Sequence, residues 1–346
     1  MAARKINVGI IGAGWIGEIR ARVAASHPLV ESVHLAEIDA AKLHRVAEAI
    51  RAKTATTDYH ELLGRDDIDA VFVCSTPETT HYPITKDCLL AKKHTLLEKP
   101  MGLALDEADE MIGLAKKAKL KFTIGYTQRF NPKYAYVKQC LADGTLGRLV
   151  TALVSRNVSR SIGNKIGGRI RLSPAVMEAT HDLDFILWCF EGIKPVRVYS
   201  EAVYGVMKKT HGVPDCQWII VTMEDGAAFT IGAGWALPPG YPHFSTTTIE
   251  VVASEGALLI DDSHRDVLLN TMKHGMTLPL STMPGEPVGH VYQGPMQAET
   301  IHFIEAVALD RPVLVTPEQA RQVMEVTLAA DLSAERHEPV ALPLKS

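Results

Sequence analysis

The chain of 346 residues has only five cysteines, no apolar run of membrane length and no marked excess of either charge. Cys74, Cys88, Cys140, Cys189 and Cys216 are odd in number, widely spaced and never paired as CxxC. That argues against a disulfide framework or a zinc ribbon, and for free thiols in a reducing compartment. The first strand-like run, Ile6–Ile11, is too short for the apolar stretch of a secretion signal, and no later run matches a bilayer, so the cytoplasm is the expected location. A net charge of −4 offers no general attraction to nucleic acid or to an anionic membrane, and neither is expected as a partner. The fourteen histidines include no HxH, HExxH or comparable cluster, so no metal is expected. Internal repeats and low-complexity segments are also missing.

What is present is an alternation. Over residues 1–127, short β-rich runs at 6–11, 32–36, 54–56, 70–74, 95–98 and 121–126 alternate with helical stretches at 15–26, 40–51, 81–91 and 105–118. This is the pattern of a parallel sheet with crossover helices. Asp39 and Asp106 are expected helix caps, because a short side-chain oxygen can accept from the free amides of a first turn. Over residues 128–346 the β-rich runs at 149–155, 196–203, 218–223, 227–235, 246–253 and 257–260 dominate, with helices expected at 176–190, 296–308 and 317–334. Turns such as Glu224-Asp225-Gly226 and Ser254-Glu255-Gly256 join the runs. The expected class is α/β: a doubly wound parallel sheet, then a second α/β domain with a mostly antiparallel sheet.

The opening strand runs into Gly12-Ala13-Gly14-Trp15-Ile16-Gly17, a GxGxxG motif at the start of a helix. The three glycines serve a tight turn, close backbone approach to a pyrophosphate, and close packing of helix on strand. The helix N-terminus, at Trp15 and Ile16, offers free amides to the phosphates. Three glycines at this spacing recur by chance, but a second strand ends in Glu37, 20 residues beyond Gly17, where an acidic group accepts from the adenosine ribose hydroxyls. The first domain is therefore expected to be a Rossmann domain. Glu37 would repel a 2′-phosphate and Ile38 supplies no guanidinium to neutralise one, which favours NAD over NADP, with Lys42 and Arg45 the cations that would reverse that choice.

Ligands of doubly wound sheets bind outside the carboxyl ends of strands. Two such ends, Ser75-Thr76-Pro77 leading to His81, and Glu98-Lys99-Pro100, are expected to line the nicotinamide half of the site. With these stretches in place, the chain resembles the glucose–fructose oxidoreductase and inositol dehydrogenase family (Gfo/Idh/MocA). The matching segments are GxGxxG, "STPETTHYP", "HTLLEKP", "GYTQRFNP", "EATHDLD" and the C-terminal "PVLVTPEQARQVMEVTLAADLSA", in order over nearly the whole chain. The resemblance implies a C-terminal domain with an open-faced sheet that builds a homodimer or homotetramer, and substrates that are sugars, sugar acids or cyclitols. It implies that Lys99 touches substrate and nicotinamide ribose and that His181 is the acid/base. These roles suit hydride transfer: an imidazole can take and return the hydroxyl proton, and an ammonium stabilises the developing alkoxide.

One departure stands out. Where the family has Asp four residues before the histidine, this chain has Met177, and Glu178 follows it. Spacings of three and four share a helix face, so Glu178 either replaces that Asp or is a residue one step removed or on the surface, and Asp184 either bonds His181 or caps a neighbouring segment. For the substrate, the basic stretch 156–171 contains Arg156, Arg160 and Arg169 and no acid; it would hold a carboxylate or phosphate, or else form a subunit contact or a solvated loop made mobile by Gly163, Gly167 and Gly168. Trp235 and His243 would stack on and bond a sugar ring, unless Trp235 is buried; Tyr126 and Arg129 would line the cleft or hold the domains together. Two further functions fit the same scaffold: glycoside cleavage through transient oxidation, and a non-catalytic regulator that senses a sugar or nucleotide.

Overall fold

The computed structural model describes residues 4–238, 241, 245–261, 267, 269–277, 285–289 and 291–344. Contacts divide the chain into two units, one of Met1–Phe130 with Pro284–Arg321, the other of Asn131–Met283 with Gln322–Ser346. The expected crossing at 127/128 falls three residues before the first division. The return of 284–321 to the first unit carries no local signal in the sequence, because it is decided by long-range packing.

In the first unit, β1 (Ile6–Ile11), β2 (Val30–Ala36), β3 (Thr54–Thr56), β4 (Ala70–Val73), β5 (His94–Leu97) and β6 (Phe122–Ile124) form one sheet in the order β3-β2-β1-β4-β5-β6. Every neighbouring pair is parallel. The order reverses between β1 and β4, and the carboxyl ends of those two strands flank the switch point where such sheets bind ligands. Helices α1 (Trp15–Ser26), α2 (Ala40–Ile50), α3 (Tyr59–Leu63), α4 (His81–Leu90) and α5 (Leu105–Ala118) connect the strands. Covered strands read as continuous apolar runs, and β4 is buried at all four residues. Ile6, Val8 and Ile10 of β1 pack with Leu35, Phe72, Leu96, Phe303 and Ile304 in one cluster.

Asp39 caps α2 as expected, accepting from the Lys42 amide. Asp106 does not cap α5. The helix starts at Leu105, and the Glu107 carboxylate reaches back to the amides of Leu103 and Ala104 at 2.8 and 3.2 Å. A longer acidic side chain inside the first turn thus does the work expected of a short one before it.

The second unit opens with α6 (Pro132–Ala142), which the transition at Asn131-Pro132 conceals, although Asn131 caps it and Pro132 occupies its first turn. The sheet is built from β7 (Leu149–Ser159), β8 (Pro195–Val203), β9 (Cys216–Met223), β10 (Ala228–Leu237), β11 (Ser245–Ala253) and β12 (Ala257–Asp261), in the order β12-β11-β7-β10-β9-β8, with Val340–Ala341 beyond β8. All pairs are antiparallel except β7 with β10. Along β9, Ile219 and Val221 are buried while Trp218 and Ile220 are exposed, so one sheet face is open. Also present are α7 (Arg160–Gly167), a π turn at Ala175–Ala179, α8 (Thr180–Cys189) and α9 (Val206–His211). The chain then returns through α10 (Pro295–Ala308) of the first unit to α11 (Pro317–Arg336), which runs through the division. Among the described residues, no helix is long and apolar enough to cross a membrane.

Candidate active site

The glycine loop divides its labour as its spacing predicts. Gly12 has φ +91°, and a Cβ there would stand 2.7 Å from the Cys74 carbonyl oxygen. At Gly17 a Cβ would lie 1.9 Å from the Gly12 carbonyl oxygen, so only glycine lets α1 close on the loop. At Gly14 nothing lies within 4 Å, which leaves open the approach a pyrophosphate needs. No side chain caps α1, so the amides of its first turn are available to an anion. Trp15 is exposed beside them, whereas the Ile16 side chain packs on Ile19, Val23 and Met296 and leaves only its backbone for a cofactor.

Glu37 stands at the end of β2, nearly buried. Its Oε2 accepts from the Ala13 amide at 2.6 Å and its Oε1 from the Asp39 amide at 3.1 Å. A carboxylate has about four acceptor positions, so two remain for ribose hydroxyls. The two cations that would favour a 2′-phosphate each lie beside carboxylates. Arg45 is paired with Glu18 at 2.7 Å, and Lys42 lies 3.7 Å from Glu37 and 4.0 Å from Asp39. These residues fit an NAD adenosine and pyrophosphate.

The strand tips are braced from within. Past β4, Ser75 Oγ and Thr80 Oγ1 lie 2.7 Å apart, and Thr80 donates to the Pro77 carbonyl. The peptide bonds Thr76–Pro77 and Lys99–Pro100 are both cis. His81, expected to bind cofactor, is instead buried between the carbonyls of Pro100 (2.7 Å) and Ser75 (3.1 Å), tying one tip to the other. Burial lowers its proton affinity, and a neutral ring donates to only one of the two carbonyls. Glu98 is likewise turned inward: Arg20 Nε donates to its Oε1 at 2.7 Å. Pro100 is buried beside Lys99, which is half-buried at the tip.

In the second unit, every residue from Ala175 to Trp188 is buried except His181, which is half-buried. A helix that hides all but one polar side chain presents that side chain. The residues before it form a π turn, so the face argument based on 3.6 residues per turn does not carry from Glu178 to His181. Glu178 is buried in that turn and Asp184 is fully buried in α8. Met177, at the family's Asp position, packs with Val158, Ile166, Met207, Val213 and Trp235.

Several expected substrate residues are structural instead. The Arg156 guanidinium is fully buried and donates to both carboxylate oxygens of Asp182, at 2.6 and 2.7 Å. Arg160 opens α7 and donates to the Ala236 carbonyl at 3.2 Å; Arg169 follows that helix and is half-buried. The expected mobile loop is therefore α7, and its glycines serve packing. A Cβ at Gly163 would meet Trp235 Cγ at 2.8 Å, and one at Gly167 would meet the His211 ring at 2.7 Å. Trp235 is fully buried, its Nε1 donating to the Pro214 carbonyl at 2.8 Å, so it cannot stack on a sugar. Tyr126 is buried in the first unit. Arg129 is buried too, donating to the Leu314 carbonyl and to Gln319 Oε1 at 2.8 Å, and so anchors that unit's returning segment. His243 lies outside the described residues.

The parallel sheet with its switch point, the glycine loop and Glu37 together define a Rossmann domain built for NAD. The chain belongs to the Gfo/Idh/MocA family: the family's profile for an oxidoreductase NAD-binding Rossmann fold matches residues 6–126, and that for the GFO/IDH/MocA C-terminal domain matches 134–259. Among its relatives, the uncharacterized oxidoreductase YrbE of Bacillus subtilis is 25% identical over 352 residues, covering 98% of this chain and 97% of that one. The myo-inositol 2-dehydrogenase of Thermotoga maritima is 27% identical over 274 residues, 78% of this chain and 79% of that one. The crystal structure of scyllo-inositol dehydrogenase from Lactobacillus casei, with bound NAD(H) and scyllo-inositol, matches with a TM-score of 0.83 over 98% of this chain and 99% of that one, at 21% identity. At that identity the likeness establishes the fold.

Proposed function

We propose that the protein transfers hydride between NAD and a secondary alcohol or ketone of a sugar, sugar acid or cyclitol. The single observation that carries this reading is His181, the one side chain left partly exposed along an otherwise buried 14-residue stretch from Ala175 to Trp188. Bound NAD would supply the hydride chemistry; the chain supplies position and charge. In this reading His181 takes the proton of the substrate hydroxyl during oxidation and returns it during reduction, while the Lys99 ammonium holds the oxygen on which charge develops. The relatives named for inositol support the substrate class. A screen for NAD reduction over cyclitols, aldoses, uronates and anhydrosugars tests the reading. No reduction with any of them, or release of a glycoside without net redox change, would sink it.

The preference for NAD rests on Glu37. Glu37→Ala should weaken NAD binding by about tenfold, the value of one or two hydrogen bonds, and weaken NADP less. Equal losses for the two cofactors would remove the ribose assignment. The open sheet face, with Leu153, Trp218, Ile220 and Val252 exposed on it, is proposed as the contact between copies in a homodimer or homotetramer. Sedimentation of Trp218→Arg should show a smaller assembly than the parent; a variant of the parent's size, or a parent that is already a monomer, would refute it.

A further inference from the structure

Three ionisable side chains share one buried site behind the tip that carries Lys99. Arg20, fully buried on α1, donates through Nε and Nη2 to Glu98 Oε1, through Nη2 to Glu299 Oε2 at 2.6 Å, and through Nη1 to Thr300 Oγ1 at 3.1 Å. Thr127 Oγ1 also donates to Glu299 Oε2, at 3.1 Å. The other oxygen, Glu299 Oε1, is buried and has no hydrogen-bond partner among the described residues. Gly125 makes the space, since a Cβ there would stand 2.9 Å from Glu98 Oε2 and 3.1 Å from Arg20 Nη2. One cation is thus set against two carboxyl groups, one of them with a bare oxygen.

We propose that Glu299 is a positioning residue for Lys99: it shares Arg20 with Glu98, and its ionisation loosens the strand tip on which Glu98 and Lys99 are neighbours. The inference rests on the reading of Lys99 as a residue that touches both substrate and nicotinamide ribose, the role the family resemblance implies. While Glu299 is neutral, the guanidinium charge belongs to Glu98. Once ionised, Glu299 competes for the same Nη2 and repels Glu98 through a medium that screens little. Burial, with the Glu98 charge adding to it and Arg20 opposing, pushes the Glu299 carboxyl up to about 7. The groups facing it are Arg20 of α1, Glu98 past β5, the two threonines, and Cys74 past β4, whose thiol burial pushes strongly upward and keeps neutral.

The test is NADH affinity, followed by fluorescence from about pH 6 to about pH 9, in the parent and Glu299→Gln, each with and without Lys99→Ala. Glu299→Gln keeps the neutral state at every pH. Its affinity should equal the parent's at the acid end and become roughly threefold to tenfold tighter at the alkaline end, the coupling expected of groups in one network. With Lys99→Ala that gain should vanish. A ratio that is flat with pH, or a gain that survives Lys99→Ala, overturns the proposal. Should Glu299→Gln not fold, Thr127→Val keeps the carboxyl and removes a donor that stabilises its ionised form, so the midpoint should move to higher pH; an unmoved midpoint overturns the proposal as well. Failure of the proposed function reads out separately, as unchanged turnover in Lys99→Ala with Glu299 intact.

Discussion

His181→Ala is expected to lower turnover by about 10²–10⁴-fold, the usual worth of a positioned general acid or base, with NADH affinity nearly unchanged. The split follows from where His181 sits. The residues proposed to hold the cofactor, from the glycine loop to Glu37, all belong to the first unit, whereas His181 lies on α8 of the second. Removing the imbalance of exposure on α8 should also cost little stability. Its neighbours Thr180, Asp182 and Leu183 are buried and keep their packing, and the ring removed is half-buried rather than part of the core. A fall in turnover with an unchanged melting temperature therefore identifies chemistry rather than folding. His181→Gln, which retains a polar group but cannot shuttle the proton, should fall as far as alanine. If either variant turned over at the parent's rate, His181 would have no part in the reaction and the hydride-transfer reading would lose its proton carrier.

How much of this was legible beforehand depends on whether a feature is local. The glycine loop, Glu37 and the β/α alternation are local, and the structure places β1, α1 and β2 as the spacing predicts. Strand-end position is also local, but it does not say which way a side chain turns. His81 and Glu98 sit at the correct tips and point inward, onto Pro100 and onto Arg20. Arg20 did leave a trace, because it falls on the buried stripe of α1 with Gly17, Ala21 and Ala24, where a charge demands a partner. One of its two carboxyl partners, Glu299, is 279 residues away and invisible to any pattern. Likewise, the glycines of α7 suggest mobility when read alone; only the contact of Gly163 with Trp235 and of Gly167 with His211 shows that they are there for packing. The π turn before α8 defeats helical-face reasoning for the same reason: its extra residue per turn is set by tertiary fit, not by residue type.

Asp182→Ala should be the most destabilising single change considered, by about 3–5 kcal/mol, because it strands a buried guanidinium that cannot shed its proton. Arg156 and Asp182 form a bidentate pair with both side chains out of solvent, at 3% and 0% exposure, which joins β7 to α8. The attraction between them barely offsets the cost of burying two charges, so the pair contributes little net stability, yet breaking it is expensive. The double variant Arg156→Met with Asp182→Leu should accordingly recover most of what Asp182→Ala loses, since it removes both charges and keeps the volume. Denaturant unfolding of the single and double variants separates the terms. Equal losses in both would mean that packing, not the uncompensated charge, sets the cost; a loss below about 1 kcal/mol in the single variant would mean that water reaches the guanidinium. Because Asp182 adjoins His181, the double variant also asks whether the pair serves the reaction. If the ion pair only anchors α8, the recovered fold should regain turnover; if it aims His181, stability should return without activity.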